Sequence, residues 1–460
     1  MALTRHLAKL LAVLLLAGCG DNGAATDGGG PDPDGLGADT QPDGTVPFNL
    51  PEGTSGHPDV GAKLTAGQVR AGRVTSSSQL LSGIKVEGKL GDYKLYNDRV
   101  AFIIRDERWS DGYGPYGGEL LDAARLGQPG SAGHSLLGET FLGAGIRLLK
   151  PTSVGVVADG SDGKAAIVRA IGTPEQLPLL GGMLGPSVGG NPQVHLVTDY
   201  VLTPDSDVLE IRQRFFNKTT HETEITMVAV GFTSGDGTHF FSEEAGFDSK
   251  QAKARDYLAM VSPDLSYVFY SPQHVLFPLI TYEGLLVFTG DSVDVPAAGE
   301  GSVTYHLGLA DGEPEAVRRM MRQLRKEPEP TPVTGTVTDA QSGAVVAGAR
   351  VHVQRDDAAG TYETMARTAA SGSYSLALEP GSYRLRAAAD GYELGPPVAL
   401  QVPGASPVTQ DLSLAGTAKL SYTVTDGSGG ALPAKVIFVP TQALAAAPAS
   451  FGELAFPGGA

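Results

Sequence analysis

The sequence predicts an all-β protein: a large N-terminal β-sandwich, a smaller β-sandwich after it, and a partial repeat of the smaller one. Three observations predict this. Between about residues 60 and 310, short runs rich in β-branched and aromatic residues recur, bounded by Gly, Pro, Asp or Asn. From residue 333, strand-sized segments follow one another, and their opening motif returns near residue 422. Only residues 314–326 place apolar side chains at helical spacing.

Composition bounds the function classes. The chain has 460 residues, with 62 Gly, 31 Pro, one Cys, 34 Lys plus Arg and 51 Asp plus Glu, a formal net charge of −17. That length suits roughly three domains of ~100–200 residues. A lone Cys excludes an intrachain disulfide scaffold. The glycines lack the three-residue period of collagen. No run of ~20 apolar residues supports a multi-span membrane protein. An acidic chain without a basic stripe excludes electrostatic nucleic-acid binding.

Residues 1–19 read as an export signal. Arg5, His6 and Lys9 form a basic start, Leu10 to Leu16 is an apolar run, and Ala17-Gly18-Cys19 follows. Leu16-Ala17-Gly18-Cys19 resembles the lipobox of bacterial lipoproteins. In that family the Cys sulfur receives a diacylglycerol, cleavage occurs just before it, and the new amine is often acylated. The resemblance implies a membrane-lipid anchor at Cys19 and residence in the bacterial cell envelope, at the outer membrane or cell surface. The alternative is an ordinary secretory signal with an incidental Cys.

Residues 20–47 read as a tether. They hold six Asp, no Lys or Arg, and little that is apolar, so burial cannot offset the entropy of ordering them. A calcium site is the competing reading, but the spacing does not match an EF-hand loop.

Residues 60–312 form the expected large β domain. Strand candidates are Val100 to Ile104, Gly145 to Leu149, Ala166 to Ala170, His195 to Leu202, Val208 to Phe216, Glu224 to Val230, Tyr267 to Tyr270 and Leu285 to Thr289. Within 208–215, Leu209, Ile211, Gln213 and Phe215 alternate with Val208, Glu210, Arg212 and Arg214, which predicts one buried face. The stretch Tyr200 to Arg212 with Phe216-Asn217 resembles a strand pair of the galactose-mutarotase-like supersandwich. No catalytic residue is carried across that likeness.

The loop 105–119 is the most unusual segment. It gathers Trp109, which is the only Trp, with Tyr113, Tyr116, Asp106, Glu107, Asp111 and Glu119. Aromatic faces stack on sugar C–H groups while carboxylates accept hydroxyl protons. Trp109, Tyr113, Tyr116, Asp111 and Glu119 are therefore the candidate ligand-binding set. The competing reading makes the aromatics a cap on the sandwich core.

Catalytic and metal motifs are not convincing. The nine His form no HxH, HxxxH or HExxH. Asp236, His239, Glu243 and Glu244 cluster in sequence, but no second His or Cys supports a metal site. Gly185-Pro-Ser187-Val-Gly189 matches GxSxG inside a Gly-rich stretch, without the strand and helix an elbow needs. No cofactor is called for, and no catalytic or metal residue is assigned.

Residues 313–332 are read as a helix and a Pro-rich linker. Pro314 suits the first turn, acids lead, bases trail, and Val317, Met320, Met321 and Leu324 share a face. Residues 333–415 then run through Val333 to Asp339, Gly348 to Val353, Thr368 to Leu378, Pro380 to Ala387 and Asp390-Gly391-Tyr392. This order resembles the carboxypeptidase regulatory-like domain, a seven-stranded prealbumin-like sandwich grouped with starch-binding-like folds. The resemblance implies a non-catalytic module and carbohydrate as a ligand class. In 416–460, Tyr422 to Gly429 mirrors Gly335 to Gly343, and Ala434 to Phe438 mirrors Ala349 to Val353. Half a sandwich cannot close a core, so this segment either pairs with a neighbour or opens a longer module.

Two functional expectations follow. The leading one is a non-catalytic envelope lipoprotein whose sandwiches bind carbohydrate or another envelope component. The order of segments also resembles the amino-terminal half of exported PHP-type metallohydrolases, which implies an accessory role beside a hydrolase domain absent from these 460 residues.

Overall fold

The structure is a computed structural model, and it describes residues 48–127, 133–145, 147–176, 192–233, 237–404, 406–416, 421–437 and 447–455. Cys19 and the export signal, the tether 20–47, Asp236, the GxSxG match and Phe438 lie outside the described residues.

The protein is nearly all β, with antiparallel sheets in sandwich-like arrangements. The strands in chain order are β1 (Val69–Arg73), β2 (Tyr93–Asn97), β3 (Val100–Ile104), β4 (Leu120–Arg125), β5 (Leu137–Ala144), β6 (Arg147–Ala158), β7 (Ala166–Gln176), β8 (Val194–Leu202), β9 (Val208–Asn217), β10 (Thr223–Thr233), β11 (His239–Phe241) and β12 (Tyr257–Val261). They continue as β13 (Ser266–Tyr270), β14 (Phe277–Tyr282), β15 (Leu285–Val295), β16 (Glu300–Ala310), β17 (Thr331–Asp339), β18 (Arg350–Arg355), β19 (Tyr362–Arg367), β20 (Ser373–Leu378), β21 (Gly381–Ala388), β22 (Val398–Val402), β23 (Val408–Thr409) and β24 (Leu412–Leu414). One α-helix, α1 (Pro314–Arg325), lies between β16 and β17.

The chain divides into two compact units, Met1–Ser234 with Ser271–His306, and Gly235–Tyr270 with Leu307–Ala460. This division cuts across the expected span 60–312.

In the first unit, β1 to β9 pair in chain order, each antiparallel to the next. β10 pairs with both β5 and β15, and β15 pairs with β14. β9 keeps the alternation its sequence predicts: Leu209, Ile211, Gln213 and Phe215 are buried, while Arg212 is exposed. β2 and β3 are buried on both faces. One of those faces is covered by Val60, Leu64 and Val74, which pack with Tyr96, Ala101, Ile103 and Leu121. The segment leaving β3 therefore starts from a rigid base.

In the second unit, β11, β12 and β13 form an antiparallel meander. Two four-stranded sheets make a sandwich: β20-β17-β23 with β24 also on β17, and β19-β18-β21-β22. β23 and β24 both run parallel to β17, at Val333↔Val408 and Val337↔Leu412, so they are one strand broken at Gln410 and Asp411. Counted so, the sandwich has the seven strands that the resemblance to the carboxypeptidase regulatory-like domain implied. Its core holds Val333, Val337, Val351, Val353, Leu376 and Leu385 among others. A Cβ on Gly335 would stand 1.9 Å from the Gln410 carbonyl oxygen, so only glycine fits beside the break.

α1 buries Val317, Met320 and Met321 of the predicted stripe, leaves its fourth member Leu324 half-buried, and ends on Lys326 in the left-handed conformation. Its charged face is fixed to β19 and to Asp256, the residue before β12. Arg318 reaches Glu363 at 2.5 Å, the Thr364 hydroxyl donates to Glu315 at 3.0 Å, and Arg325 grips Asp256 at 2.6 Å. The helix is thus part of the second unit, and β17 begins at Thr331, so the last two residues of the expected linker, Thr331 and Pro332, already belong to the strand.

Residues 421–437 repeat the first turn of that sandwich. Asp339 Oδ1 accepts from the Ser342 N–H and hydroxyl, and Asp426 Oδ1 accepts from those of Ser428. The bridge Thr338↔Val345 has its counterpart in Thr425↔Ala431, and the bond Val346 N–H to Val337 O in Leu432 N–H to Val424 O. The surroundings differ. Val337 and Val346 are buried, whereas Leu432 is 49% and Ile437 71% exposed. Of the segment 434–438 that mirrors the strand at 349–353, residues 434–437 are described, and they form no strand and pair with no described strand.

Candidate functional site

The loop 105–119 connects β3 to β4. Its neck is closed by Arg105 N–H to Glu119 O at 2.8 Å and Gly118 N–H to Arg105 O at 3.1 Å. Such a closed neck lets a long loop hold its own shape.

Inside the loop, one cation organises several acids. Arg105 is 2% exposed. Its Nη1 donates to Gly114 O at 2.5 Å and its Nη2 to Glu139 Oε1 at 3.0 Å and Glu87 Oε2 at 3.1 Å. Glu119 Oε2 lies 3.6 Å from Nη1. Glu139 Oε2 in turn accepts the N–H groups of Tyr113 (2.6 Å) and Gly114 (3.1 Å). The loop backbone is thereby wrapped onto a buried carboxylate, as a buried charge requires. Gly112 and Gly114 permit this approach: a Cβ there would stand 1.9 Å from Glu139 Oε1 and 2.2 Å from Glu119 Oε2.

Three carboxylates around one guanidinium leave excess negative charge. Glu119 carries the consequence. Burial pushes its carboxyl well above the usual range, with Arg105 opposing and Glu139 and Glu87 adding to the rise. Neither Glu119 oxygen has a hydrogen-bond partner. Glu87, half-buried, is also pushed up, first by burial and then by Glu139. Burial and the neighbouring carboxylates thus act together against a charge on Glu119.

The rest of the loop is tied to its surroundings. Arg108 pairs with Asp92 and Asp106, Glu107 accepts the Val154 N–H at 2.9 Å, and the Tyr116 hydroxyl donates to Gln176 O at 2.8 Å.

The five expected ligand-binding residues fall into two groups. Trp109 is 63% and Tyr113 51% exposed, and Asp111 is also exposed. Tyr116 and Glu119 are buried and act as supports. Trp109 stands edge-on to Tyr116, with centroids 5.5 Å apart, and Tyr113 stacks on Phe232 at 4.5 Å. The two exposed rings are thus held from beneath by other rings. The arrangement offers apolar faces beside carboxylates, which suits a ligand with both C–H faces and hydroxyl groups.

Sequence reading missed Glu87, Glu139 and Phe232. One signal for Glu139 was available: it is the single charge in the apolar strand Leu137–Ala144, and a lone charge in a buried strand needs a partner. The sequence cluster around His239 is not assembled as a site. Glu243 pairs with Arg325 at 3.7 Å, Glu244 pairs with Arg255, and the His239 ring packs against Phe247. Among the described residues no group of three or more His, Cys, Asp or Glu is placed to hold a metal ion.

Comparison with known proteins places the second sandwich. The family described as carboxypeptidase regulatory-like domain matches residues 332–415, and that segment is a domain of this kind. No curated protein matches the chain. Several solved structures show similarity, three of which follow. The Slr1438 protein of Synechocystis sp. PCC 6803 is 11% identical, covering 49% of this chain and 97% of its own, with a TM-score of 0.32. A galactose mutarotase related enzyme from Lactobacillus acidophilus is 8% identical, covering 47% and 97%, with a TM-score of 0.29. The shaft pilin SpaA from Lactobacillus rhamnosus GG is 12% identical, covering 40% and 100%, with a TM-score of 0.17.

Proposed function

We propose that this protein is a non-catalytic lipoprotein of the bacterial cell envelope, held to membrane lipid through acylated Cys19, and that its 105–119 loop binds carbohydrate. The observation that carries the binding reading is the pair of exposed rings, Trp109 and Tyr113, braced by Tyr116 and Phe232. Two exposed rings in one loop, next to a carboxylate, offer a ligand apolar surface and a polar contact together. Bracing them in advance lowers the entropy lost on binding. Asp111 supplies the polar complement, accepting hydroxyl protons at the rim.

The anchor follows from chemistry at one atom. Several acyl chains hold a protein stably where a single chain is marginal. Residues 20–460 carry 32 Lys plus Arg (34 less Arg5 and Lys9) against 51 acids, net −19. That balance opposes adsorption to anionic lipid, so the acyl chains supply the attachment and the acidic tether supplies the reach.

A glycan array probed with the wild type and with Trp109→Ala tests the binding reading. Retention of at least one glycan class by the wild type, and its loss in the variant, is the expected result. Failure of the wild type to retain any glycan, or equal retention by the variant, refutes it.

A further inference from the structure

The first unit holds a second concavity whose chemistry differs from the loop. It has a volume of about 290 Å3 and is lined by Phe48, Leu50, His195, Phe216, Lys218 and Glu300, among others. That is close to the lower end of the ~300–1,000 Å3 range of small-molecule pockets.

Its walls are aromatic and held in place. The Phe48 ring stacks on His195 at 4.3 Å, with an interplanar angle of 12°, and meets Phe216 edge-on at 5.0 Å. The back of Phe216 is covered by the Arg214 guanidinium, 5.4 Å from the ring centroid. The turn at 298–299 is fixed to the end of β9: Ala298 N–H donates to Thr219 O and Asn217 N–H to Gly299 O, both at 2.9 Å. Ala298 is held there at φ 49°, a conformation that costs an alanine energy and persists only where the surroundings impose it.

The polar groups can be sorted by what they have left to offer. Asn217 is spent: its Nδ2 donates to His221 O and Val295 O, and its Oδ1 accepts from the Thr219 N–H and hydroxyl. Glu300 lies 3.8 Å from Arg214. Among the described residues Lys218 makes no ion pair, and its ammonium is partly desolvated. His195 is held in its neutral form by burial and by the nearby Lys218 charge. The free groups are therefore one cation and one neutral imidazole over two phenyl rings.

We infer that this pocket binds a small carboxylate with an apolar ring body, its carboxylate on Lys218 and its ring against Phe48 and Phe216. A neutral ring compound leaves a desolvated cation unpaired, and a bare anion leaves the phenyl walls uncovered. Both features are satisfied only when charge and ring occur in one molecule.

Benzoate titrated into the protein by calorimetry, with benzamide as the neutral counterpart, tests this. Saturable benzoate binding, about tenfold or more tighter than benzamide, is expected. Lys218→Met lowers benzoate affinity about tenfold and leaves benzamide unchanged, because it removes the charge and keeps the stem. Phe48→Ala, at the edge of the described chain, weakens both ligands and keeps the fold, as circular dichroism will report. Absence of saturable benzoate binding, equal affinity for the two ligands, or an unchanged benzoate affinity in the lysine variant overturns the inference.

Discussion

At the scale of single residues, the site is governed by Arg105. It is buried among Glu87, Glu119 and Glu139, and removing one partner of a buried ionic group leaves the others uncompensated. Arg105→Met should destabilise by about 3–5 kcal/mol in urea unfolding. Glu119→Gln should stay within about 1 kcal/mol of wild type, because burial already disfavours a charge on Glu119 and its oxygens accept no hydrogen bond that the amide would lose. Equal damage from both variants would show that Glu119 is ionised. Asp122, on the neighbouring strand β4, gives a pH signature. Burial pushes it up to about 7 despite the Glu87 and Gly88 N–H groups it accepts. An acid with a raised folded-state pKa binds its proton more tightly in the native state. Its contribution to stability is full below the unfolded value of ~3.9 and is lost as pH rises through about 7. The melting temperature should therefore carry a falling component between pH 4 and 7, which Asp122→Asn removes. That variant offers one acceptor oxygen where two N–H groups now bond, so it should also lose about 1–3 kcal/mol. A slope unchanged in the variant would contradict the assignment.

At the scale of elements, much was legible. Strands β3, β9 and β20 follow from alternation and β-branched content, and α1 follows from its Pro314 start and its Val317-Met320-Met321 stripe. Burial of strand residues is a local consequence of period, so sequence reports it. The support of loop 105–119 was not legible beyond its own residues. Glu87, Glu139 and Phe232 come from a preceding loop, from β5 and from β10, and only sheet pairing brings them under the loop. The repeated turn separates local from global order in the same way. Asp339 and Asp426 each accept the N–H and hydroxyl of a serine that follows them, yet only the first turn delivers its apolar residues to a core. Asp339→Ala should lower the melting temperature of the protein, and Asp426→Ala should not. A matching loss in both would show that 421–437 is built into a core of its own.

At the scale of the whole molecule, the proposed anchor at Cys19 and the proposed binding loop 105–119 make separate predictions. Cys19→Ala should abolish labelling by radioactive palmitate and release the protein into the soluble fraction. An unlabelled wild type would remove the anchor. The binding claim has a more direct reporter, because Trp109 is the only Trp in the chain and is 63% exposed. All indole emission comes from the proposed contact surface. Titration of glycans from the array, followed by that emission, should give a saturable blue shift as sugar displaces water from the ring. A glycan that binds the protein while the Trp109 emission stays unchanged would contradict the account.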